Sequence, residues 1–180
     1  MAFELQPILE NDRAILYPLR EEDFDSLYSV ASDPKIWEQH PNTDRWKIDV
    51  FRNFFDGALQ SRGAFSIVDK ASGKVVGSSR FYDYDGNESQ IFIGYTFYAR
   101  SHWGNGFNRS VKGLMLDHAF QFVSRVRFHI GERNHRSQIA IGRMGAVKTG
   151  EQVLPYFGEP PRLNFVYEIN RDDWNLKLQP

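Results

Sequence analysis

The residues Ile91-Phe92-Ile93-Gly94-Tyr95-Thr96-Phe97-Tyr98 limit the fold of this chain more than any other stretch. The run has the β-branched and aromatic content of a strand, yet its apolar residues do not alternate with polar ones. Such a strand needs cover on both faces, which makes it a central strand of a layered domain. The loop after it, Ser101-His102-Trp103-Gly104-Asn105-Gly106, carries two closely spaced glycines. From about residue 107 the period becomes helical, with Phe107, Val111, Leu114, Met115, His118 and Phe122 on one side. A strand at 126–131 completes a strand, glycine loop, helix, strand unit. If its two strands are parallel neighbours, the crossover is right-handed.

The flanking segments agree with that centre. Residues 13–18 read as a strand. Phe24, Leu27, Tyr28 and Ala31 form the stripe of a helix that Pro34 stops, and Phe51, Phe54, Phe55, Ala58 and Arg62 mark a second helix. In that helix the Arg62 stem is expected along the apolar edge and Gly63 at the end. Strands at 64–70 and 74–84, with turns at Ala71-Ser72-Gly73 and Asp85-Gly86-Asn87, describe an antiparallel meander. Asn134 is the expected N-cap of a short helix bearing Ser137, Ala140, Ile141 and Met144 and ending at Gly145. Strands near 147–154 and 162–169 flank a loop holding Gly158, Pro160 and Pro161. With 180 residues and no repeat or linker, the chain reads as one domain, 1–180, of the α+β class. Its central sheet is expected to be mixed, mainly antiparallel and flanked by helices.

Charge and composition narrow the chemistry. Lys and Arg number 22 against 23 Asp and Glu, so no global basic field draws the chain to nucleic acid or an anionic membrane. The cluster Arg125, Arg127, Arg133, Arg136 and Arg143 is the only basic stretch that argues otherwise. No basic and apolar leader pattern opens MAFELQPILE, and no apolar run approaches about 18 residues, so a soluble, cytoplasmic protein is expected. The sequence has no cysteine, which removes disulfides, thiolate metal sites and a cysteine nucleophile together. No His-x-x-x-His or clustered carboxylate pattern suggests a metal. Fifteen Phe, eight Tyr and four Trp could fill a core, line a ligand cleft, or do both.

Two local signals carry chemistry. Glycines at a strand-to-helix joint let a backbone approach a ligand, and the amides at the helix start suit a phosphate; an ordinary turn explains the same residues. The joint lacks the third glycine of a dinucleotide fingerprint, and no Gly-x-x-x-x-Gly-Lys-Ser/Thr occurs. In Asn134-His135-Arg136-Ser137, capping accounts for Asn134 and first-turn support for Ser137.

Taken in order, Ile93-Gly94-Tyr95-Thr96, Trp103-Gly104-Asn105-Gly106, Val111 to Phe120, Asn134-His135-Arg136-Ser137, Ala140-Ile141 and Met144-Gly145-Ala146 resemble the GNAT superfamily of N-acetyltransferases. The nearer branch is the RimJ/RimL-like one, to which Leu16 to Asp23 and Asp33 to Trp37 are also similar; the resemblance runs from about residue 13 to 170. It implies acetyl-CoA as donor, a primary amine as acceptor and no metal. The pantetheine arm is expected along Phe97, Tyr98 and Ala99, and the pyrophosphate on Trp103, Gly104, Asn105, Gly106, Phe107 and Asn108, with Asn134 and Ser137 also at the cofactor. Ser101 replaces the usual basic or amide residue of the loop, and Arg100, Arg109 and Lys112 are candidates to meet phosphate charge or to stand as solvated cations. A backbone N–H freed from the ladder on strand 91–98 would serve the oxyanion.

Many members place a tyrosine seven residues after the asparagine to protonate the departing thiolate; here that residue is Ile141, and Ser137 is the expected substitute beside solvent. His129 stands where some members carry a glutamate base, with Glu132, Glu88 and a water chain as competitors. His118 is expected in the core, and His40, His102 and His135 at the surface. The acceptor, a protein N-terminus or a small amine, is expected near Trp37, Trp46, Phe51, Phe54 and Phe55 and the 155–161 loop. A homodimer would fit the branch. The other reading is a non-catalytic acyl-CoA-binding or regulatory domain that keeps the cleft, which Ile141 and Ser101 favour.

Overall fold

The computed structural model describes residues 3–178; the first two residues of the amino-terminal segment and the last two of the chain lie outside them. Eight strands form one sheet, β1 (Leu9–Glu10), β2 (Ala14–Pro18), β3 (Ala64–Asp69), β4 (Lys74–Asp85), β5 (Gln90–Tyr98), β6 (Arg125–Gly131), β7 (Val147–Tyr156) and β8 (Glu159–Asn170). Their order is β1-β2-β3-β4-β5-β6-β8-β7. Every neighbouring pair is antiparallel except β5 and β6, which are parallel. The uninterrupted apolar run is thus an interior strand, as its composition requires. The helices are α1 (Phe24–Ala31), α2 (Ile48–Ser61), α3 (Phe107–Ala119), α4 (His135–Arg143) and α5 (Arg171–Leu178).

Alternation along the strands divides the core between the two faces of the sheet. Phe65 and Ile67 of β3 join Phe81, Ile91 and Ile93 beneath Phe107, Val111 and Met115 of α3. Ala64, next in line, belongs to the other cluster, where Phe24 and Leu27 of α1 meet Phe51, Phe54 and Phe55 of α2, with Trp37 and Phe97. Among the described residues, no helix is long and apolar enough to cross a membrane.

Four details depart from the sequence reading. Arg62 is exposed and adopts the left-handed conformation (φ 50°) that caps α2, so it is not part of the apolar face. Gly63 is demanded by space, since a Cβ there would lie 2.0 Å from the Phe81 carbonyl oxygen. The loop expected before β8 shrinks to a two-residue turn, with Tyr156 opposite Glu159. Pro160 and Pro161 belong to β8, ahead of Asn164 where its pairing with β6 begins, so they interrupt no ladder on that side. Finally, β1 and α5 have no signature in the sequence. Two residues are too few for a pattern, and among its described side chains α5 is anchored by Trp174, whose Nε1 donates to Asp117 Oδ1 at 2.7 Å.

Candidate functional site

The ladder between β5 and β6 is short. Gln90, Ile91 and Phe92 pair with Arg125, Val126 and Arg127, and beyond them the strands diverge. Into this opening β5 sends a bulge. Ser78 pairs with Phe97 and Arg80 with Gly94, which leaves Tyr95 and Thr96 opposite the single Ser79. Tyr95 takes φ 53°, a conformation costing a non-glycine residue about 1–3 kcal/mol. A bulge takes its extra residue out of the ladder, so the freed backbone expected on strand 91–98 has a structural basis here. The opening is a cavity of about 390 Å³ bounded by β5, β6, the glycine loop, α3 and α4.

At one end lies the glycine loop. Gly104 and Gly106 have φ of 72° and 83°, which only glycine adopts without strain. The Trp103 amide donates to the Arg100 carbonyl, and the Phe107 amide to Asn105 Oδ1. Among the described residues the amides of Gly104, Asn105, Gly106, Asn108 and Arg109 have no protein partner, and they stand at the start of α3, where the helix dipole favours an anion. Arg109, Arg136 and Arg143 line this cavity, and the Arg136 guanidinium lies 3.8 Å from the centre of the Trp103 ring. The Tyr98 hydroxyl is buried and unpartnered, and burial pushes its pKa up.

The opposite wall is built by distant segments. Tyr82 of β4 lies 3.0 Å from His129 Nδ1, and Gln152 Oε1 of β7 lies 3.2 Å from His129 Nε2. The neutral tautomer that satisfies both contacts has Tyr82 donating to Nδ1 and Nε2–H donating to Gln152. Burial, with Arg127 nearby, lowers the His129 pKa to about 4, so the ring is uncharged at neutral pH and weakly basic. Beside it Arg45 forms a bidentate pair with Glu159, at 2.9 and 2.7 Å, with both side chains at most 5% exposed. Arg45 also lies over the Phe54 ring (4.6 Å) and the Tyr156 ring (5.5 Å).

Most of the expected site residues meet in this cavity. Phe97, Tyr98, Trp103, Gly104, Gly106, Asn108, His129, Asn134 and Ser137 line it, as does Ile141. Ala99, Asn105 and Phe107 do not line it. The Ala99 amide is bonded to Val76, Asn105 caps the loop, and the Phe107 side chain is in the core. The Asn134 side chain accepts from the Ser137 amide at 3.2 Å, as an N-cap should.

Other expectations need correction. Arg100 is spent on Asp33, 2.5 Å away, and does not line the cavity. Lys112 is neither at the surface nor at the loop. It is 5% exposed, and its Nζ donates to Ser79 Oγ (3.0 Å) and Thr96 Oγ1 (2.5 Å), the residues at the bulge. Burial lowers its pKa to about 7. His40 and His102 line the cavity, and burial lowers the His40 pKa to about 3; His118 is buried, as expected. Phe51 and Phe55, placed near the acceptor by their sequence neighbours, are core; Trp46 is exposed and lines nothing. Tyr82, Arg45, Glu159 and Arg80 were missed. No periodic or spacing signal marks them, because each meets partners that lie far from it along the chain. Among the described residues no cluster of three His, Asp or Glu could hold a metal.

Known proteins share the sequence family and the fold. Residues 13–147 match the family described as the acetyltransferase (GNAT) domain. The uncharacterized N-acetyltransferase p20 of Bacillus licheniformis is 30% identical over 117 residues, 62% of this chain and 65% of p20, so the match spans just under two thirds of that relative. A GCN5-related N-acetyltransferase from Brucella melitensis superposes with TM-score 0.81 at 21% identity, covering 94% of this chain and 81% of that one. The microcin C7 self-immunity acetyltransferase MccE, solved with acetyl-CoA and AMP, gives TM-score 0.73 at 16% identity over 93% of this chain and 98% of its own. At such identities the likeness of the two structures is one of fold.

Proposed function

The chain belongs to the acetyltransferase (GNAT) family, and on that premise we propose that it is an N-acetyltransferase that moves the acetyl group of acetyl-CoA directly to a primary amine. The acceptor is a protein N-terminal α-amine or a small-molecule amine. The observation that carries this reading is the cavity between β5 and β6, with a bulged strand on one side and unpartnered helix-start amides at one end. The donor set fits the cosubstrate, with free amides and Arg109 and Arg143 for the phosphates. The solved MccE complex, which shares the fold, supports the same ligand.

Acetyl-CoA supplies an activated thioester, and the chain's residues do the rest. The bulge at Tyr95 and Thr96 offers backbone N–H to the developing oxyanion, with Lys112 holding Thr96 and Ser79 in place from behind. Ser137, at the first turn of α4 and on the cavity wall, serves in this reading as proton donor to the departing thiolate. The ammonium proton leaves by the Tyr82–His129 pair, the phenol passing its own proton to Nδ1 as it takes one up. Without a cysteine, no acyl-thiol stage on the protein intervenes.

Calorimetric titration with CoA tests the cofactor assignment. Wild-type protein binds, whereas Gly104→Glu, which adds a side chain at φ 72° and a negative charge beside the phosphates, binds about a hundredfold more weakly. Equal binding by both proteins contradicts the reading.

A further inference from the structure

One amine already stands in the wall of the cleft. Asn108, Arg109 and Lys112 share the side of α3 that borders the cavity, and Lys112 is the buried one of the three. Among the described residues it is also the only lysine that lines the cavity. Its Nζ donates to Ser79 Oγ at 3.0 Å and Thr96 Oγ1 at 2.5 Å, two hydroxyls that lie 2.8 Å from each other. An amine nitrogen has three positions besides its carbon, and these bonds fill two of them. Among the described residues no protein group fills the third, and no Asp or Glu lines the cavity to pair with the nitrogen.

These surroundings suit a nucleophile. A lysine at the surface carries its proton at neutral pH, which ties up the lone pair. Burial alone lowers the pKa of Lys112 to about 7, with no charged group of β4, β5 or α3 contributing, so at pH 8 most chains hold the free amine. The free amine still has two N–H for Ser79 and Thr96, and its lone pair takes the third position. One side-chain hydrogen bond separates Nζ from Thr96, a residue of the bulge whose backbone N–H receives the acetyl carbonyl in the N-acetyltransferase reading.

We infer that Lys112 is a self-acetylation site: when no acceptor amine occupies the cleft, its Nζ takes the acetyl group of bound acetyl-CoA. This rests on the N-acetyltransferase reading and adds to it a way for the site to switch itself off. The Nζ lone pair forms a bond to the thioester carbonyl carbon, the carbon–sulfur bond breaks, and CoA leaves as the thiolate. The proton that Nζ sheds goes to that sulfur, so acetyl-lysine and free CoA are the products and no other reactant is consumed. The new amide keeps one N–H where the amine had two, so it serves Ser79 or Thr96 and not both. Its acetyl group stays beside the bulge, and a modified chain is blocked towards acceptor amines.

Intact mass and peptide mapping test this without any acceptor. Wild-type protein incubated with acetyl-CoA at pH 8 should gain the mass of one acetyl group on Lys112. The gain should be at least about tenfold faster than at the exposed Lys35 and Lys74, since an ordinary lysine is then less than about one per cent free amine. In Gly104→Glu, at limiting acetyl-CoA, the gain should slow in step with the lost CoA affinity. Chains modified on Lys112 should turn over an acceptor amine about tenfold more slowly or worse, and undiminished turnover refutes the blocking role. Modification of Lys112 no faster than of Lys35 and Lys74, or none, overturns the self-acetylation site; acetylated amines in the same experiment leave the transferase reading standing. A modified Lys112 with no acetylated amine from any acceptor keeps the site and removes that reading. Firm CoA binding with neither product removes both.

Discussion

The two ends of the cleft are made in different ways. The phosphate end is continuous in sequence, with Trp103 to Arg109 supplying glycine conformations, free amides and a helix start within seven residues. The acceptor end draws Arg45, Arg80, Tyr82, Tyr95, His129, Gln152, Tyr156 and Glu159 from segments more than a hundred residues apart. The first works through backbone and dipole, which tolerate many side chains. The second works through buried side-chain charge and hydrogen bonds, in which each group depends on a named partner. A substitution at the first should weaken one ligand and spare the fold, whereas one at the second should disturb stability and acceptor choice together.

The largest expected effect is at the acceptor end. Glu159→Gln leaves Arg45 buried without its counter-charge, next to Arg80, whose buried Nε has no hydrogen-bond partner among the described residues, and breaking such a pair costs about 3–5 kcal/mol. Chemical denaturation should show that loss; a change below about 1 kcal/mol would mean that water or the rings at Phe54 and Tyr156 already compensate Arg45. Next comes Gly104→Glu, for which CoA affinity should fall about a hundredfold while the fold loses only the cost of a side chain at φ 72°, about 1–2 kcal/mol, because nothing lies within 4 Å of the position a Cβ would take. A loss of fold without a specific loss of CoA would erase the contrast between the two ends.

Lys112 sits between the ends and gives a pH-dependent test. Its folded pKa, lowered by burial to about 7 against an ordinary 10.5, means that the unfolded chain binds the proton more tightly. Stability should therefore rise as pH climbs from 7 towards 10.5, and Lys112→Met should flatten that rise. An unchanged slope would show that Lys112 does not titrate in the fold. The smallest effect concerns His129. With its pKa lowered to about 4, the ring stays neutral well below pH 6.5, so it contributes no acid limb to kcat/KM near 6.5. His129→Asn, which retains a hydrogen-bonding partner for Tyr82, should lower kcat by about tenfold, less than the roughly hundredfold or more usual for a general base, because a ring with so low a pKa is a weak one. An acid limb at 6.5 that vanishes in this variant would restore His129 as an ordinary, unperturbed base.

The same division explains what the sequence could disclose. The interior strand, the loop glycines, the Asn134 cap and the α3 stripe are local patterns, and each lies where periodicity and turn chemistry put it. Lys112 defeated that logic. On a helix surface a lysine is normally solvated, and only the bulge that turns Ser79 and Thr96 towards α3 makes a dry, hydrogen-bonded place for it. Aromatic residues misled in the opposite direction. Phe51 and Phe55 have the composition of a ligand cleft, but the α1–α2 pair needs them to cover the sheet, and the rings that do line the cavity include Tyr82 and Tyr95 from the strands. Arg80 lies in a strand whose neighbours give no hint that its charge goes unanswered.

The central claim is that this cleft carries out acetyl transfer and is not only a place where CoA binds. It is tested most directly by incubating the protein with acetyl-CoA and a mixture of amino acids, dipeptides and simple amines, then measuring free CoA and N-acetylated products together. The account predicts acetylated amine and free CoA in equal amounts. Firm CoA binding with no acetylated product from any amine would contradict it and leave a cofactor-binding domain without the chemistry.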